Sequence, residues 1–380
     1  MKIVIVTGIY PPELGGPAIY VKKIVQLFKQ IGWKVQVLTY GEPRPNVHTV
    51  SRAHTLPVRM FLFTWKLFKL TKKAGAILLL DYFSAGLPTF FVSKILRKPI
   101  VSRIGGLFAY EEETKRALPQ RSIGGFLKGK KTLLISFLYW VQGIILRNSA
   151  FVIPTSGFFE EVCKLQKVEE EKIKLIVTAP TITMVSKTKE ELRKELGFSN
   201  GVYYLLSCSR LIPHKGVAGL IRTMLFLPET FRLLIIGEGE QEPMLHKLVK
   251  QLKLGNRVSF LGKFPQEKFQ PYLKAADAYV LNSRYEGLSN IAVESMALET
   301  PVFLSKVEGN IHLVIDGQNG FLFPFNKPKA IAQTILQLQN SELMQTIKEK
   351  AKNSVNTWEN VFSRTKKLLE QAAKGEPCTF

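Results

Sequence analysis

Two glutamates stand eight positions apart around a short polar turn in YEGLSNIAVESMALETPV, Tyr285 to Val302. The apolar residues after the turn predict a buried helix, so acids at its entrance need a reason. A glutamate near a helix N-terminus gains about 0.3–1 kcal/mol from the dipole, and Ser289 or Asn290 would cap the helix. Alternatively, a carboxylate accepts two hydroxyl hydrogen bonds, so Glu286 and Glu294 suit a ligand rich in hydroxyls. The segment alone leaves both interpretations open.

A second charged turn lies in SRLIPHKG, Ser209 to Gly216, where a predicted strand leads into a helix. Arg210 and Lys215 stand at this turn, and Pro213 stiffens it. A lysine at a helix N-terminus opposes the dipole unless an anion binds there. Arginine offers phosphate oxygens a planar fork, and lysine offers a mobile point charge. The turn therefore predicts a phosphate site, with two solvated loop cations as the plain alternative.

Two glycine turns also follow predicted strands. YPPELGG, Tyr10 to Gly16, places Gly15 before a helix, where backbone amides can approach a phosphate closely. LLIIGEGE, Leu233 to Glu240, places Gly237 where a nucleotide base or ribose would lie across the strand end. Both turns also suit an ordinary strand-to-helix connection. Neither has the G-x-G-x-x-G spacing of a dinucleotide site.

Other ligand classes find less support. GGFLKGKKT, Gly124 to Thr132, matches G-x-x-x-x-G-K, but Lys131 stands where a Ser or Thr must bind magnesium, and no strand precedes it. A basic, apolar hairpin that faces a membrane fits this stretch better than a phosphate-binding loop. The five histidines are scattered, and the three aspartates are Asp81, Asp277 and Asp316. No D-x-D pair exists to hold a metal diphosphate, so we expect no metal and no further cofactor.

Strand-like and helix-like stretches alternate along the chain, which predicts an α/β fold with doubly wound parallel sheets. At 380 residues the chain exceeds the roughly 250–300 at which a single core stops growing. The rhythm breaks near residue 180 and then restarts. We therefore predict two Rossmann-like domains, 1–180 and 181–356, and a C-terminal helix of about 357–373 that crosses back to the first. The predicted strands are KIVIVT, WKVQVLTY, AILLL, KPIVSRI, AFVIPTS, VYYLLSCS, FRLLIIGEG, RVSFLGKF, DAYVLNS and PVFLS.

Positive charge is concentrated in the first half. Residues 1–180 hold 27 Lys and Arg against 11 Asp and Glu, within a whole-chain charge of +23. A surface this basic favours phosphate, either of nucleic acid or of anionic lipid. No helix-turn-helix, zinc or RNA-binding signature is present, so we expect no nucleic acid partner. An anionic membrane surface is the better interpretation.

The basic residues are interleaved with apolar ones in two places, which predicts contact with a lipid surface. One place is MFLFTWKLF; its aromatic residues Phe61, Trp65 and Phe68 also have helical spacing and would alternatively belong to the core. The other precedes the apolar run that begins at Thr132. The cations concerned are Arg59, Lys66, Lys69, Lys72 and Lys73, then Lys115, Arg116, Arg121, Lys128, Lys130 and Lys131.

The compartment follows from features that the chain lacks. Cys163, Cys208 and Cys378 have no pairing or metal-ligand spacing, which suits a reducing cytosol. The N-terminus shows no export signal, and no apolar run reaches the roughly 18 residues of a membrane span. We expect a cytoplasmic protein that is peripheral on the inner face of the membrane.

The order of these motifs resembles the retaining GT-B glycosyltransferases of family 4, the group 1 type. The resemblance rests on SRLIPHKG, GEGE, EGLSNIAVESMALETPV and DGQNGFLFP, and it is strongest from Ser207 to Pro324. It implies a GT-B fold, with two Rossmann-like domains facing across a donor cleft. It also implies transfer of a sugar, with retention, from a UDP-sugar or GDP-sugar donor to a membrane-associated glycan or lipid-linked acceptor.

The resemblance also implies roles for residues. Arg210 and Lys215 would bind the donor diphosphate, Glu286 the sugar hydroxyls and Glu294 the ribose, while the Gly15–Gly16 loop would close over the phosphates. The catalytic set is then Arg210, Lys215 and Glu286, and the substrate-binding set is Gly15, Gly16, Gly237, Gly287, Leu288, Ser289, Asn290 and Glu294.

Three departures from the family pattern are visible. GNIHL loses an acid at Leu313, TAPTIT replaces an asparagine-led linker, and GGLFAYEEE stands where relatives carry a histidine or aspartate. The third leaves only Asp81 and Glu111 as candidates for an N-terminal acid or base. A nucleotide-sugar epimerase of the same architecture, or a non-catalytic nucleotide-sugar-binding relative, are the alternative functions.

Overall fold

The protein folds into two units, each built on one parallel sheet. In the computed structural model, residues 1–13, 15–116, 123–182 and 186–376 are described. Contacts within the chain divide it into Met1–Thr178 with the segment from Trp358 onward, and Ala179–Thr357. The sequence placed these divisions at residue 180 and at about residue 357. Each unit is treated separately below.

The N-terminal unit contains a six-stranded sheet in the order β3-β2-β1-β4-β5-β6, with every neighbouring pair parallel. This order places the first strand in the middle of the sheet, as a doubly wound fold requires. The strands are β1 (Lys2–Val6), β2 (Lys34–Tyr40), β3 (His48–Val50), β4 (Ala76–Leu79), β5 (Ile100–Ile104) and β6 (Phe151–Pro154).

Helices connect these strands and cover the sheet. In chain order they are α1 (Gly16–Gln30), α2 (Leu56–Thr71), α3 (Gly86–Leu96), α4 (Phe108–Arg116), α5 (Ile123–Lys128), α6 (Leu133–Arg147) and α7 (Gly157–Leu165). α2 packs beside α3, and α3 packs beside α6. None of the helices in the described ranges combines the length and the apolar character that a membrane span needs.

The prediction of a hairpin over residues 124–132 is wrong. Most of this stretch is helical as α5, and Thr132 caps the next helix, with its hydroxyl accepting from the Ile135 amide at 3.4 Å. The stretch lacks the alternating β-branched residues that a hairpin needs, whereas a threonine cap before an apolar run begins a helix. Among the cations predicted nearby, Arg121 and the side chains of Lys115 and Arg116 lie outside the described residues.

The C-terminal unit contains a second six-stranded parallel sheet, in the order β12-β11-β10-β7-β8-β9. The α/β fold with two doubly wound sheets is thus confirmed. Its strands are β7 (Tyr203–Cys208), β8 (Phe231–Ile236), β9 (Val258–Gly262), β10 (Ala278–Leu281), β11 (Val302–Ser305) and β12 (Phe321–Phe323). Its helices are α8 (Lys189–Glu195), α9 (Val217–Thr223), α10 (Glu242–Gln251), α11 (Gln266–Ala275), α12 (Asn290–Ala297), α13 (Glu308–Ile311), α14 (Pro328–Ile335) and α15 (Ser341–Ser354).

The last helix, α16 (Trp358–Lys374), belongs to the N-terminal unit. It packs against α1: the Phe362 ring lies 5.0 Å from that of Phe28, and the Trp358 ring lies 5.8 Å from that of Tyr20. Leu368 and Leu369 on its inner face are fully buried. The N-terminal core is therefore completed by the last part of the chain.

Asp277 anchors α8 to the start of β10. Its carboxylate accepts from Lys189 Nζ and Arg193 Nη1, each at 2.9 Å, and from the Tyr204 amide at 2.8 Å. Burial alone would raise the pKa of Asp277, but Lys189 and these hydrogen bonds lower it below its ordinary value. Asp277 therefore has a structural explanation that needs no metal.

We expect Asp277→Asn to lower the thermal midpoint at pH 7, by the equivalent of about 2 kcal/mol, because charge-assisted hydrogen bonds are lost. A carboxyl with a lowered folded pKa contributes its stability above the ordinary value near pH 4 and loses it as pH falls through the folded pKa. The difference between variant and wild type, measured by thermal unfolding, should therefore shrink below about pH 4. Glu299→Gln, which breaks an exposed pair with Lys352, is the control. Equal midpoints for both variants at pH 7 would contradict the anchor.

Candidate active site

Two of the predicted site residues form an ion pair in the C-terminal unit. Lys215 Nζ lies 2.5 Å from Glu286 Oε1, and the side chains are 16% and 9% exposed. Lys215 ends the turn after β7, and Glu286 lies in the turn after β10. Because these strands are neighbours in a parallel sheet, their carboxyl ends meet at one edge. The sequence indicated both residues, but not that they would bind each other.

The turn that carries Lys215 is held by backbone contacts with the segment after β10. Gly216 has φ of 60°, and a Cβ there would lie 2.1 Å from the Asn282 carbonyl oxygen. Asn282 Nδ2 donates to the Gly216 carbonyl at 2.8 Å, and the Arg284 amide donates to the His214 carbonyl at 2.7 Å. Only glycine fits at 216, so this position fixes the approach of the lysine to the glutamate.

The second glycine turn packs against the first. Gly237 has φ of 140°, and a Cβ there would lie 1.9 Å from the Ser209 carbonyl oxygen. The Leu211 amide donates to the Glu238 carbonyl at 2.9 Å. Backbone packing is sufficient to require glycine at 237, whether or not a base or ribose lies across it. Its binding role therefore stays a prediction.

Arg210 and His214 flank this site. The Arg210 side chain is exposed, so it is accessible to an anion from solvent. Burial lowers the pKa of His214 to about 4; Lys215 adds to this effect and Glu286 opposes it. His214 is therefore neutral at pH 7 and leaves the cationic role to Arg210 and Lys215.

The helix after the Glu286 turn begins as predicted. Ser289 caps α12, with its hydroxyl accepting from the Ala292 amide at 3.2 Å. Because the serine fills the capping role and Glu294 lies one turn further in, the dipole explanation does not account for this second acid. Glu294 is 3% exposed, and its Oε2 accepts from Gln270 Nε2 at 3.2 Å. The Gln270 contact was not predicted, because 24 residues separate the partners.

The other predicted site residues of the Glu286 turn are partly accessible to solvent. Gly287, Leu288 and Asn290 are half-buried. The Gly309 amide donates to the Glu286 carbonyl at 3.0 Å, and a Cβ at 309 would lie 2.3 Å from that oxygen. The GNIHL segment, whose first three residues lie in α13, therefore supports the Glu286 turn through its backbone, although it lacks the acid at 313.

In the N-terminal unit, Gly15 and Gly16 form the start of α1. Gly15 has φ of 153°, and its carbonyl accepts from the amides of Ala18 and Ile19 at 3.1 and 3.2 Å. No side chain caps this helix and its first turn holds no acid. The helix start is thus electropositive, as a phosphate-binding loop requires, but its role stays a prediction.

Two arginines that the sequence did not indicate hold this loop. Arg44 Nη1 donates to the carbonyl oxygens of Tyr10, at 2.6 Å, and Pro11. Arg52 donates to the Gly8 carbonyl at 2.9 Å and pairs with Glu13 at 2.6 Å. Nothing in the spacing of these residues points to the contacts, since they arise from the packing of the connections before and after β3.

The two candidates for an N-terminal acid or base are placed differently. The Asp81 carboxylate accepts from the amides of Phe83 and Ala85 and from the Ser84 hydroxyl, each at 3.0 Å. It therefore holds the loop that precedes α3 in place. Glu111 is exposed on α4. Among the described residues, no group of three or more His, Cys, Asp or Glu could hold a metal ion.

Comparison with known proteins agrees with these features. Residues 188–354 match the family model of glycosyl transferases group 1. An uncharacterized glycosyltransferase of Methanocaldococcus jannaschii is 27% identical over 401 residues, which cover 96% of this chain and 97% of the relative. The Campylobacter jejuni N-acetylgalactosaminyltransferase that acts on a diphospho-undecaprenol-linked sugar is 27% identical over 231 residues, covering 60% of each chain.

Two solved structures share the fold. Sucrose-phosphate synthase from Thermosynechococcus elongatus superposes with a TM-score of 0.80 at 21% identity, covering 99% of this chain and all of the other. HepE of Anabaena, in complex with UDP and glucose, gives 0.78 at 21% identity, covering 98% and 100%. Residues 188–354 are therefore similar to the group 1 glycosyl transferases, and the chain has the GT-B fold of these solved structures.

Proposed function

We propose that this protein transfers a sugar, with retention of configuration and without a metal ion, from a UDP-sugar or GDP-sugar to a glycan or lipid-linked acceptor. The observation that carries the proposal is the largely buried Lys215–Glu286 pair at the carboxyl edge of the C-terminal sheet. The UDP and glucose in the HepE structure support the donor class. The diphospho-undecaprenol-linked acceptor of the Campylobacter relative supports the acceptor class.

The ion pair suits a donor that carries both phosphate and hydroxyl groups. When the donor binds, its diphosphate attracts the Lys215 ammonium and the exposed Arg210 guanidinium. The Glu286 carboxylate then becomes available to accept hydrogen bonds from sugar hydroxyls. The two side chains neutralise each other until a ligand with complementary groups separates them.

The reaction breaks the bond between the anomeric carbon and the diphosphate oxygen and forms one to an acceptor hydroxyl oxygen, whose proton passes to the departing diphosphate. The leaving diphosphate gains negative charge as its bond breaks. Lys215 and Arg210 stabilise that charge, and preorganised groups of this kind often supply the largest part of catalysis. Retention is proposed on the family resemblance.

Nucleotide release from a panel of UDP-sugars and GDP-sugars, measured with EDTA present, tests the function. We expect Lys215→Ala to lower turnover by about a hundredfold to a thousandfold, because one transition-state contact to the leaving group is lost. Glu286→Gln keeps the shape of the side chain and should also lower turnover while the thermal midpoint changes little. Lys263→Ala, which breaks an exposed ion pair with Glu238 in the same unit, is the control.

Near-normal turnover of Lys215→Ala would contradict the diphosphate role. Activity abolished by EDTA and restored by manganese would contradict the absence of a metal. Product analysis without an acceptor separates transfer from epimerisation, and a wild type that binds donor but transfers nothing would be a non-catalytic relative.

His214 offers an independent report of the anion site. Because an adjacent diphosphate favours the imidazolium form, UDP should raise the pKa of His214 from about 4. By linkage, UDP affinity should increase as pH falls through this range. Proton NMR titration of the imidazole measures the shift, and Lys215→Ala should raise the same pKa without ligand. The resonance of His246, which is exposed on α10, should not move with UDP; an unchanged His214 titration in saturating UDP would contradict the site.

The membrane component of the proposal rests on the layer formed by α2, α3 and α6. Phe61 and Trp65 are exposed on α2, so the alternative that they belong to the core is wrong, whereas Phe68 is half-buried. α6 presents a further apolar row that is opposite its buried face. The exposed apolar residues of the three helices are Leu56, Val58, Phe61, Trp65, Phe91, Ile95, Leu133, Leu134, Phe137 and Trp140.

Cations accompany this apolar layer. Lys69 Nζ lies 3.4 Å from the Trp65 ring centroid, and Lys72 Nζ lies 5.0 Å from that of Phe68. Lys128 and Lys130 stand just before α6. Each cation near an anionic bilayer contributes about 1 kcal/mol, and inserted aromatic groups add to this. An anionic membrane surface satisfies both the charge and the apolar area of the layer.

We expect the protein to co-sediment with vesicles that contain anionic lipid at low salt, and less so at high salt. Leu133→Asn combined with Trp140→Ala should weaken binding about tenfold or more, because inserted apolar area is lost. Ile315→Asn, at an exposed apolar position of the C-terminal unit, is the matched control. A folded wild type that stays in the supernatant at low salt would favour an acceptor that is not in a membrane.

A further inference from the structure

The contact between Gln270 and Glu294 joins a site residue to the chain segment that begins the C-terminal unit. Gln270 lies on α11 and has no solvent exposure. Its Nε2 donates to Glu294 Oε2 at 3.2 Å and to the Thr181 carbonyl oxygen at 2.7 Å. Thr181 is two residues after Ala179, the first residue of this unit. One buried amide therefore contacts both the acid and the connecting segment.

The chemistry of the two partners fixes the amide orientation. An ionised carboxylate and a backbone carbonyl can only accept, so the side chain must present its nitrogen to both. A glutamine NH₂ group has two hydrogens, one for each acceptor. With both used, rotation of the amide is restrained, and so is the direction in which Oε2 of Glu294 points.

The partners of the two acids differ in charge. Lys215 pairs with Glu286 as a cation, whereas the Gln270 amide is neutral and donates a hydrogen bond to Glu294. Hydrogen bonds to a charged acceptor are the stronger kind, so this contact restrains the carboxylate.

We propose that Gln270 is a positioning residue that orients Glu294 toward the ribose diol of the donor nucleotide and ties that orientation to the backbone at Thr181. The inference rests on the proposed function, in which Glu294 accepts from the ribose hydroxyls. It assigns part of the selectivity for a ribose that carries both hydroxyls to a side chain that does not itself touch the nucleotide.

The test compares two probes on the full-length chain by calorimetry: UDP, and 2′,3′-dideoxy-UDP, which lacks both ribose hydroxyls. The wild type should bind UDP about tenfold or more tightly than the dideoxy compound, as expected for hydrogen bonds to a charged group. Gln270→Met, of similar length but without a donor, should reduce that ratio at least about fivefold. Glu294→Gln serves as the reference for loss of the acid.

Gln166→Met is the matched control, because Gln166 is also buried and donates through Nε2 to a backbone carbonyl, that of Tyr139 at 3.2 Å, in the other unit. It should leave the ratio unchanged even if it lowers the thermal midpoint. Should Gln270→Met fail to fold, Gln270→Asn, whose amide is one carbon shorter, gives the same comparison.

The outcomes separate the two proposals. A wild type that does not distinguish the probes would overturn the ribose role of Glu294 and, with it, this inference. A wild type that distinguishes them, with the ratio preserved in the Gln270 variants or with both affinities reduced equally, would overturn the inference alone. Loss of the ratio in a folded Gln270 variant supports it.

Discussion

The functional edge of the C-terminal unit depends on three places where backbone meets backbone with no room for a side chain. Cβ atoms at Gly216, Gly237 and Gly309 would lie 2.1, 1.9 and 2.3 Å from the carbonyl oxygens of residues 282, 209 and 286. These contacts join the turns after β7, β8, β10 and β11 into one layer. Because these close backbone contacts leave little room for movement, they fix the Cα positions from which the side chains of these turns extend.

This rigid layer displays charges in two contrasting arrangements. Glu286 is paired with the Lys215 ammonium, and Glu294 accepts a hydrogen bond from the Gln270 amide. Under the proposed function, the donor would reorganise the first pair, while the second acid would accept hydrogen bonds from the ribose diol.

The sequence was informative where local chemistry determines the structure. Ten predicted strands are present because their apolar runs are buried in parallel sheets, and Ser289 caps α12 as its residue type indicates. The sheet-edge strands β3 and β12, three residues each, were missed because such short edges carry little hydrophobic pattern. The stretch at 124–132 was misinterpreted because glycines and lysines suggested a turn, whereas the capping Thr132 and its apolar run determined helices.

Part of the site could not be read from the sequence at all. The Lys215–Glu286 pair, the Gln270–Glu294 contact and the Arg44 contacts join residues 71, 24 and 33 or 34 positions apart. Such pairs are created by strand order and by the packing of connections, not by spacing along the chain. Residue types indicated which groups could bind phosphate or hydroxyls, but the partner of each group emerged only from the fold.

The position of α16 has a consequence for synthesis of the protein on the ribosome. The C-terminal unit, residues 179–357, is an uninterrupted stretch, whereas the N-terminal unit requires a helix that begins at Trp358. Until that helix emerges, Phe28 and Tyr20 on α1 lack their aromatic neighbours. The half of the chain made first is thus the half completed last, and the face of α1 that α16 covers stays without this partner until then. Loss of α16 would remove these aromatic neighbours from the unit that contains the first residues of the chain.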